Sequence, residues 1–571
     1  MKLLDRIARR AMVQTTAMIH IANNRPDALK TDPKVGGHPA ACASSAHILT
    51  ALHASVREPA DFICCKPHAA PIDHVLNAMM GLYWDPKTKA WFEQERIEQT
   101  LHHLRKFSDA GEAVLQSYHA RSDPDSHHFL PSGSVGIPPV VAGYMSLAYR
   151  YARDHSLELP EVPEDLHFWS LIGDSEFREG SLMEAMPDFA ERQLGNNTWI
   201  IDYNRQNLDG ARMPNTKGLQ GTDAQRINAT AVANGWEIIE VAHGRKRLAA
   251  FKQGGGAGER LREVLESGFS DYELTMHLLQ RDMDDTRRAI REMDGKTTKL
   301  LDSMDDAKLL EIFCDLGGHD TDVLVEALNK SKLDQDRPTC MVVHTIKGWG
   351  SSLFAAPGNH SALPSLKEVD ELLASEGLTM ERPFSPTEDQ EVLDYLAERG
   401  QRFRDGIDHN RAWRMKNRKV IHDNIEKVGG VPESLDIDTR LFPRTHTQWM
   451  WGQLAAKLVR IGTSAELRRE HGEGIPDLTE KEKQWEPSAD LLLTVSPDVG
   501  TSTQLNPVMD NKIYGATDEA VERAADVEEK TGTSKSRPTL VPSSEPWTRH
   551  IRFEIAEANC MTAVGSFGMM G

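Results

Sequence analysis

Gly173-Asp174-Ser175-Glu176-Phe177-Arg178-Glu179-Gly180 and Ile200-Ile201-Asp202-Tyr203-Asn204-Arg205-Gln206 decide the fold of this chain. Each follows an apolar run, Leu166 to Ile172 before the first and Trp199 to Tyr203 before the second. Between them Leu182, Met186 and Phe189 recur at i, i+4 and i+7, one face of a helix. The pattern is strand, helix, strand, the length of one parallel crossover unit. In such a unit both strands open their carboxyl ends on one edge of the sheet, where open α/β sheets bind ligands. Asp174 and Asn204, 30 residues apart, therefore bring a carboxylate and an amide oxygen to one edge. Hard oxygen ligands of that kind suit Mg2+ holding a diphosphate, because Mg2+ takes a few protein oxygens together with phosphate oxygens.

Working outward, residues 1–375 alternate strand-like and helical patterns and read as one α/β domain with a parallel sheet flanked by helices. Residues 376–485 are polar and punctuated by proline, and read as an interdomain linker. Leu491-Leu492-Leu493-Thr494-Val495 reads as the first strand of a second α/β domain over 486–571. The chain of 571 residues has a net charge of −20, which argues against a nucleic-acid-binding surface. It contains no run of 18 apolar residues, so no membrane span is expected. The charged start Met1-Lys2-Leu3-Leu4-Asp5-Arg6 has no apolar signal core. Six cysteines without a CxxC pair fit a reduced, cytoplasmic protein.

Gly-Asp, about 30 residues and then Asn resembles the diphosphate signature of thiamine-diphosphate enzymes of the transketolase and pyruvate dehydrogenase E1 superfamily, with Ser175 where that family usually has glycine. Four other segments match in the family's order: Gly36-Gly37-His38-Pro39, Lys66-Pro67-His68-Ala69, Ser132-Gly133-Ser134-Val135-Gly136, and Lys347-Gly348-Trp349-Gly350 followed by Gly358-Asn359-His360. The resemblance is closest to the homodimeric E1 component of pyruvate dehydrogenase and covers most of residues 30–365. Leu316-Gly317-Gly318-His319-Asp320 and Asn204 to Gly210 carry it, whereas the Tyr-Pro-His-Pro run of that family is missing around His119 to Leu130.

The resemblance implies thiamine diphosphate and Mg2+ as cofactors. Asp174, Asn204 and the backbone carbonyl of Gln206 become the metal ligands, with Ser132, Gly133, Ser134, Gly173, Ser175, Glu176 and Lys347 around the cofactor. His38, His68 and His360 become candidate proton or hydrogen-bond donors to the substrate. Glu557, in Ile555-Ala556-Glu557, matches the glutamate that bonds the cofactor's pyrimidine, with Glu554 as the competing candidate. It also implies decarboxylation of a 2-oxo acid such as pyruvate, with acyl transfer to a lipoyl group on an acyltransferase partner (E2). The alternatives are transketolase-type transfer of two-carbon units and a catalytically incomplete subunit. A homodimer is expected, since in this superfamily the cofactor lies between subunits. The chain ends 14 residues after Glu557. A C-terminally truncated, incomplete second domain is therefore expected, in a fragment or in a split enzyme whose second chain supplies the rest.

Overall fold

The structure, a computed structural model, describes residues 2–26, 31, 35–106, 112–127, 133–157, 163, 165–208, 210, 212, 215–437, 447–497, 500, 504–509, 512–515, 523 and 541–570. The chain divides into two compact units. The first comprises Met1–Ala142, Leu166–Met186 and Gly195–Ile407, and the second Gly143–Asp165, Pro187–Leu194 and Asp408–Gly571.

The first unit is built on five parallel strands: β1 (Phe62–Cys65), β2 (Phe168–Gly173), β3 (Asn197–Tyr203), β4 (Glu237–Val241) and β5 (Thr339–His344). Their order across the sheet is β1-β2-β3-β5-β4. Phe62 pairs with Phe168, Phe168 with Asn197, and Thr198 with Thr339. β1 and β3 are buried along their whole length, as strands covered on both faces are. Trp169 and Trp199 are fully buried on adjacent strands.

Helix α1 (Leu3–Asn23) packs on α2 (Pro39–Ala51) and α3 (Ala70–Met79). All thirteen residues of α2 are buried. Its run Ala-Ala-Cys-Ala-Ser-Ser-Ala keeps it thin enough to lie inside the unit, and Pro39 opens it where no N–H is needed. Helix α4 (Gly180–Glu191) fills the crossover between β2 and β3, with Leu182, Met186 and Phe189 buried as their spacing predicts.

The stretch 376–485, expected as a linker, is largely helical. It carries α5 (Gln390–Lys427), α6 (Thr447–His471) and α7 (Glu480–Ala489), with residues through Ile407 in the first unit. Among the described residues the second unit contains two parallel strand pairs. The first joins β6 (Thr494–Ser496) to the distant strand His550–Arg552, and the second joins β7 (Lys512–Tyr514) to β8 (Val541–Ser543). The strand expected at Leu491 to Val495 thus starts at Thr494, because Leu491 and Leu492 close the turn after α7. Arg549 is fully buried there and bonds the Glu466 and Asp490 carboxylates. Helix α8 (Glu557–Met570) ends the described chain. Among the described residues no helix is long and apolar enough to cross a membrane.

Candidate active site

The carboxyl ends of β1, β2, β3 and β5 converge in the first unit. Lys66 follows β1, Asp174 follows β2, Asp202 and Asn204 straddle the end of β3, and Thr345 to Lys347 follow β5. The anchor is Asp202, which is fully buried. It pairs with the Lys66 ammonium, accepts from Ser44 Oγ at 2.7 Å and Ser45 Oγ at 2.8 Å, and accepts from the Thr345 hydroxyl. Burial alone pushes this carboxyl up, but Lys66 and the hydroxyl donors outweigh it and hold it below the usual range. One carboxylate therefore ties α2, β1, β3 and the loop after β5 together.

Asp174 lies just above. Its Oδ2 accepts the Arg205 N–H at 2.9 Å. Its Oδ1 faces Arg212 Nη2 at 3.4 Å, and Arg212 Nε also reaches Asp223 Oδ2 at 3.0 Å. Neither Arg212 contact has hydrogen-bonding geometry, so the guanidinium keeps donors for another anion. Burial pushes the Asp174 carboxyl up, with Arg212 opposing it. Asn204 Oδ1 accepts the Gln206 N–H at 3.1 Å. The Gln206 side chain points away, bonding Ala355 O at 2.9 Å and the Asn359 amide at 3.0 Å, which leaves its backbone carbonyl as the candidate ligand. Arg205 adopts a left-handed backbone (φ 63°) between them, anchored by its Nη2 on Thr345 O at 2.7 Å.

Glu176 braces two turns of the site: its two oxygens accept from Gly136 N at 2.8 Å and Gly173 N at 3.0 Å. Gly136 sits at φ +79°, and a Cβ there would stand 2.5 Å from Glu179 Cβ. Only glycine lets this turn come so close. Gly133 and Ser134 are exposed on the same turn and line an open cavity of about 590 Å3 with Pro67, His68, Tyr118 and Glu179. Ser175 is exposed at the start of the turn after β2. Ser132 falls outside the described residues.

Gly36, Gly37 and His38 all have positive φ (78°, 104° and 52°), a backbone reversal that two glycines make affordable before α2. It delivers the His38 ring to 4.3 Å from His68 and 4.6 Å from His360, with His68 and His360 4.8 Å apart. Tyr118 stacks 6.0 Å from His38. Burial lowers His38 to about 4 and His68 to about 2, with neighbouring imidazoles and Lys347 adding to the effect, so both rings are neutral at pH 7. Lys347 is 4% exposed and donates to Asn207 O at 3.3 Å. Burial, then Lys66, lowers it to about 8.

The structure thus gathers His38, His68, His360, Asp174, Asn204, Gln206, Gly173 and Lys347 at one sheet edge. Glu557 belongs to the second unit, exposed at the start of α8. Lys66, Asp202 and Arg212 were missed by sequence reasoning. Lys66 and Asp202 stand inside the quoted motifs, two residues before His68 and Asn204, and an interior charge in an apolar strand was the available signal. Nothing in the sequence points to Arg212.

The site fits a metal–diphosphate group on its own chemistry. Asp174 and Asn204 are oxygen donors, and Arg212 and Lys347 are cations for phosphate oxygens.

A family model described as the transketolase, thiamine diphosphate binding domain matches residues 292–432, which include β5 and the Lys347–His360 loop. The pyruvate dehydrogenase E1 component of Corynebacterium glutamicum is 27% identical over 291 residues, 50% of this chain and 29% of that protein. The E1 component of Mycolicibacterium smegmatis is 27% identical over 367 residues, 62% of this chain and 37% of that protein. The matches therefore span well under half of these relatives' length. A transketolase variant from Pichia stipitis superposes with a TM-score of 0.56 at 15% identity, over 100% of this chain and 63% of that one. Transketolase from Leishmania mexicana gives 0.55 at 14%. At that identity the structural likeness speaks for the fold.

Proposed function

Because the chain belongs to the thiamine-diphosphate superfamily of transketolases and pyruvate dehydrogenase E1 components, we propose that it works as an E1-like component acting on a 2-oxo acid such as pyruvate. The observation that carries this reading is the trio of His38, His68 and His360 grouped beside Lys347 and the Asp174–Asn204 edge.

Asp174, Asn204 and the Gln206 carbonyl would hold Mg2+, and Lys347 and Arg212 would neutralise the diphosphate. Bound there, thiamine diphosphate supplies the carbanion chemistry for breaking a bond next to a carbonyl. The chain's own part is position and charge. His38 and His68, being neutral, present ring N–H groups as donors to an oxygen that gains negative charge, without adding fixed positive charge. Glu557, in this reading, serves the pyrimidine of the cofactor from a second copy of the chain. The acyl group would pass to a lipoyl group on an acyltransferase partner.

The E1 relatives support the 2-oxo acid over a ketose phosphate. The test supplies thiamine diphosphate, Mg2+ and pyruvate with an artificial electron acceptor, against a ketose phosphate with an aldose phosphate. Dye reduction with pyruvate alone supports the E1-like reading. Two-carbon transfer alone would replace it with a transketolase reading.

A further inference from the structure

Behind the catalytic histidines lies a second cluster that the site chemistry does not use. His74 sits on α3, and His119, Asp123 and Asp125 lie on the segment that follows Tyr118. All four are between 0% and 3% exposed. Their ligand atoms lie within 4.8 Å of one another. We propose that His74, His119, Asp123 and Asp125 form a structural site for one divalent transition metal of the Zn2+ type.

Three observations support it. The first is charge. Asp73, Asp123 and Asp125 are three carboxylates buried together. Arg57, also buried, faces Asp73 and Asp61. The cluster's two carboxylates need positive charge beside them, because buried charge left unbalanced is costly; a dication supplies it in full, where a proton on His74 offsets one carboxylate only.

The second is orientation. His74 Nε2 donates to Gln116 O at 2.9 Å, and its Nδ1 bonds Asp125 Oδ2 at 2.7 Å, a bond whose proton the metal would replace. A backbone carbonyl on one ring nitrogen is how proteins fix the tautomer of a metal-binding histidine. Asp123 is held by the N–H groups of Gln116 at 3.1 Å and Ala120 at 2.7 Å, the usual support for a ligating carboxylate. The third is a spare ligand atom. Asp125 Oδ1 is buried and has no hydrogen-bond partner among the described residues.

The donor set of two nitrogens and two oxygens suits Zn2+ in tetrahedral geometry, with bonds of about 2.0–2.2 Å. Such bonds need ligand edges of roughly 3.3 Å, so side-chain adjustments within the existing spread suffice. A neighbouring group, Cys65, Asp73 and His119, shares one residue, but Asp73 is already committed to His53 at 2.6 Å and Asn77 at 3.1 Å; its Oδ2 also faces His119 Nε2 at 3.4 Å, a contact the metal would replace. The consequence is mechanical. The metal would pin the segment that holds Tyr118 against His38 and His68, and so fix the wall of the active site from behind.

The test is a Co2+ titration of the chelator-treated full chain, read by ligand-field absorption and by melting temperature. It is run in a His38→Asn/His360→Asn background, so that the catalytic histidines do not contribute. The expected result is one equivalent of Co2+ with a tetrahedral spectrum, displaced by Zn2+, and a rise of several degrees in melting temperature. Both signals should vanish in Asp125→Asn and in His119→Gln, with the fold checked by circular dichroism. Asp125→Asn preserves shape and carries the test should His119→Gln not fold. A folded chain that gives no tetrahedral spectrum, or one that keeps it in Asp125→Asn, overturns the proposal. The cluster is then a proton-bridged network in which His74 is doubly protonated.

Discussion

The Arg205 N–H donates to Asp174 Oδ2 at 2.9 Å, joining the loop after β3 to the loop after β2 across 31 residues of sequence. This bond leaves the other Asp174 oxygen facing Arg212 and the candidate metal position. It also explains why Arg205 accepts a left-handed backbone, since its amide and its guanidinium are both committed.

The Lys66–Asp202 pair should be a main support of the sheet edge. Lys66→Met leaves Asp202 with hydroxyl donors but no cation. Removing one partner of a buried pair typically costs about 3–5 kcal/mol. Urea unfolding should show a loss of that order, and Lys66→Met/Asp202→Asn should recover much of it. An unchanged midpoint in the single variant would mean that the pair is not formed.

Gly136→Ala should be damaging although it adds one methyl group. The new Cβ meets Glu179 at 2.5 Å and takes a backbone conformation that L-residues avoid. Strain of this type costs about 1–3 kcal/mol. Diphosphate binding should weaken along with stability. Isothermal titration beside a melting curve tests both, and Ser134→Ala on the same turn is the tolerant control.

Lys347 sets a pH dependence for anion binding. Burial holds it near 8 in the free chain, against an ordinary 10.5. A bound diphosphate favours the ammonium, so binding should take up a proton above about pH 8, and affinity should fall as pH rises through that value. Titrations in buffers of different ionisation heat will count the proton, and Lys347→Met should abolish the uptake.

Acid stability depends on the active-site histidines with the opposite slope. His38 and His68 are held neutral at about 4 and about 2, while in the unfolded chain they titrate near their ordinary 6.5. Their neutral forms cost nothing above that pH. As pH falls from about 6.5 towards 4, the unfolded state takes the protons first and stability is lost. His38→Asn/His68→Asn should flatten the loss in that window, as measured by denaturant midpoint against pH.

Much of the first unit is legible from sequence because its strands are apolar runs with short motifs at their carboxyl ends. Leu182, Met186 and Phe189 disclose the crossover helix by spacing alone. Glu176 shows the limit. Its place in the motif does not disclose that its carboxylate braces Gly136 and Gly173. The choice between facing a ligand and facing a backbone amide depends on a loop 40 residues away, which no local pattern contains. Arg212 is unreadable for the same reason, because its partners Asp174 and Asp223 meet it only in the folded chain. The long helices of 376–485 were obscured by polar surfaces that resemble a linker's composition.

The most direct measurement is a calorimetric titration of thiamine diphosphate into the chain, with Mg2+ and again with chelator, beside Asp174→Ala. Saturable binding that needs the metal and disappears in Asp174→Ala is the predicted result. A folded chain that binds no thiamine diphosphate in the presence of Mg2+, or binds it equally well without Asp174, would contradict the assignment of this sheet edge.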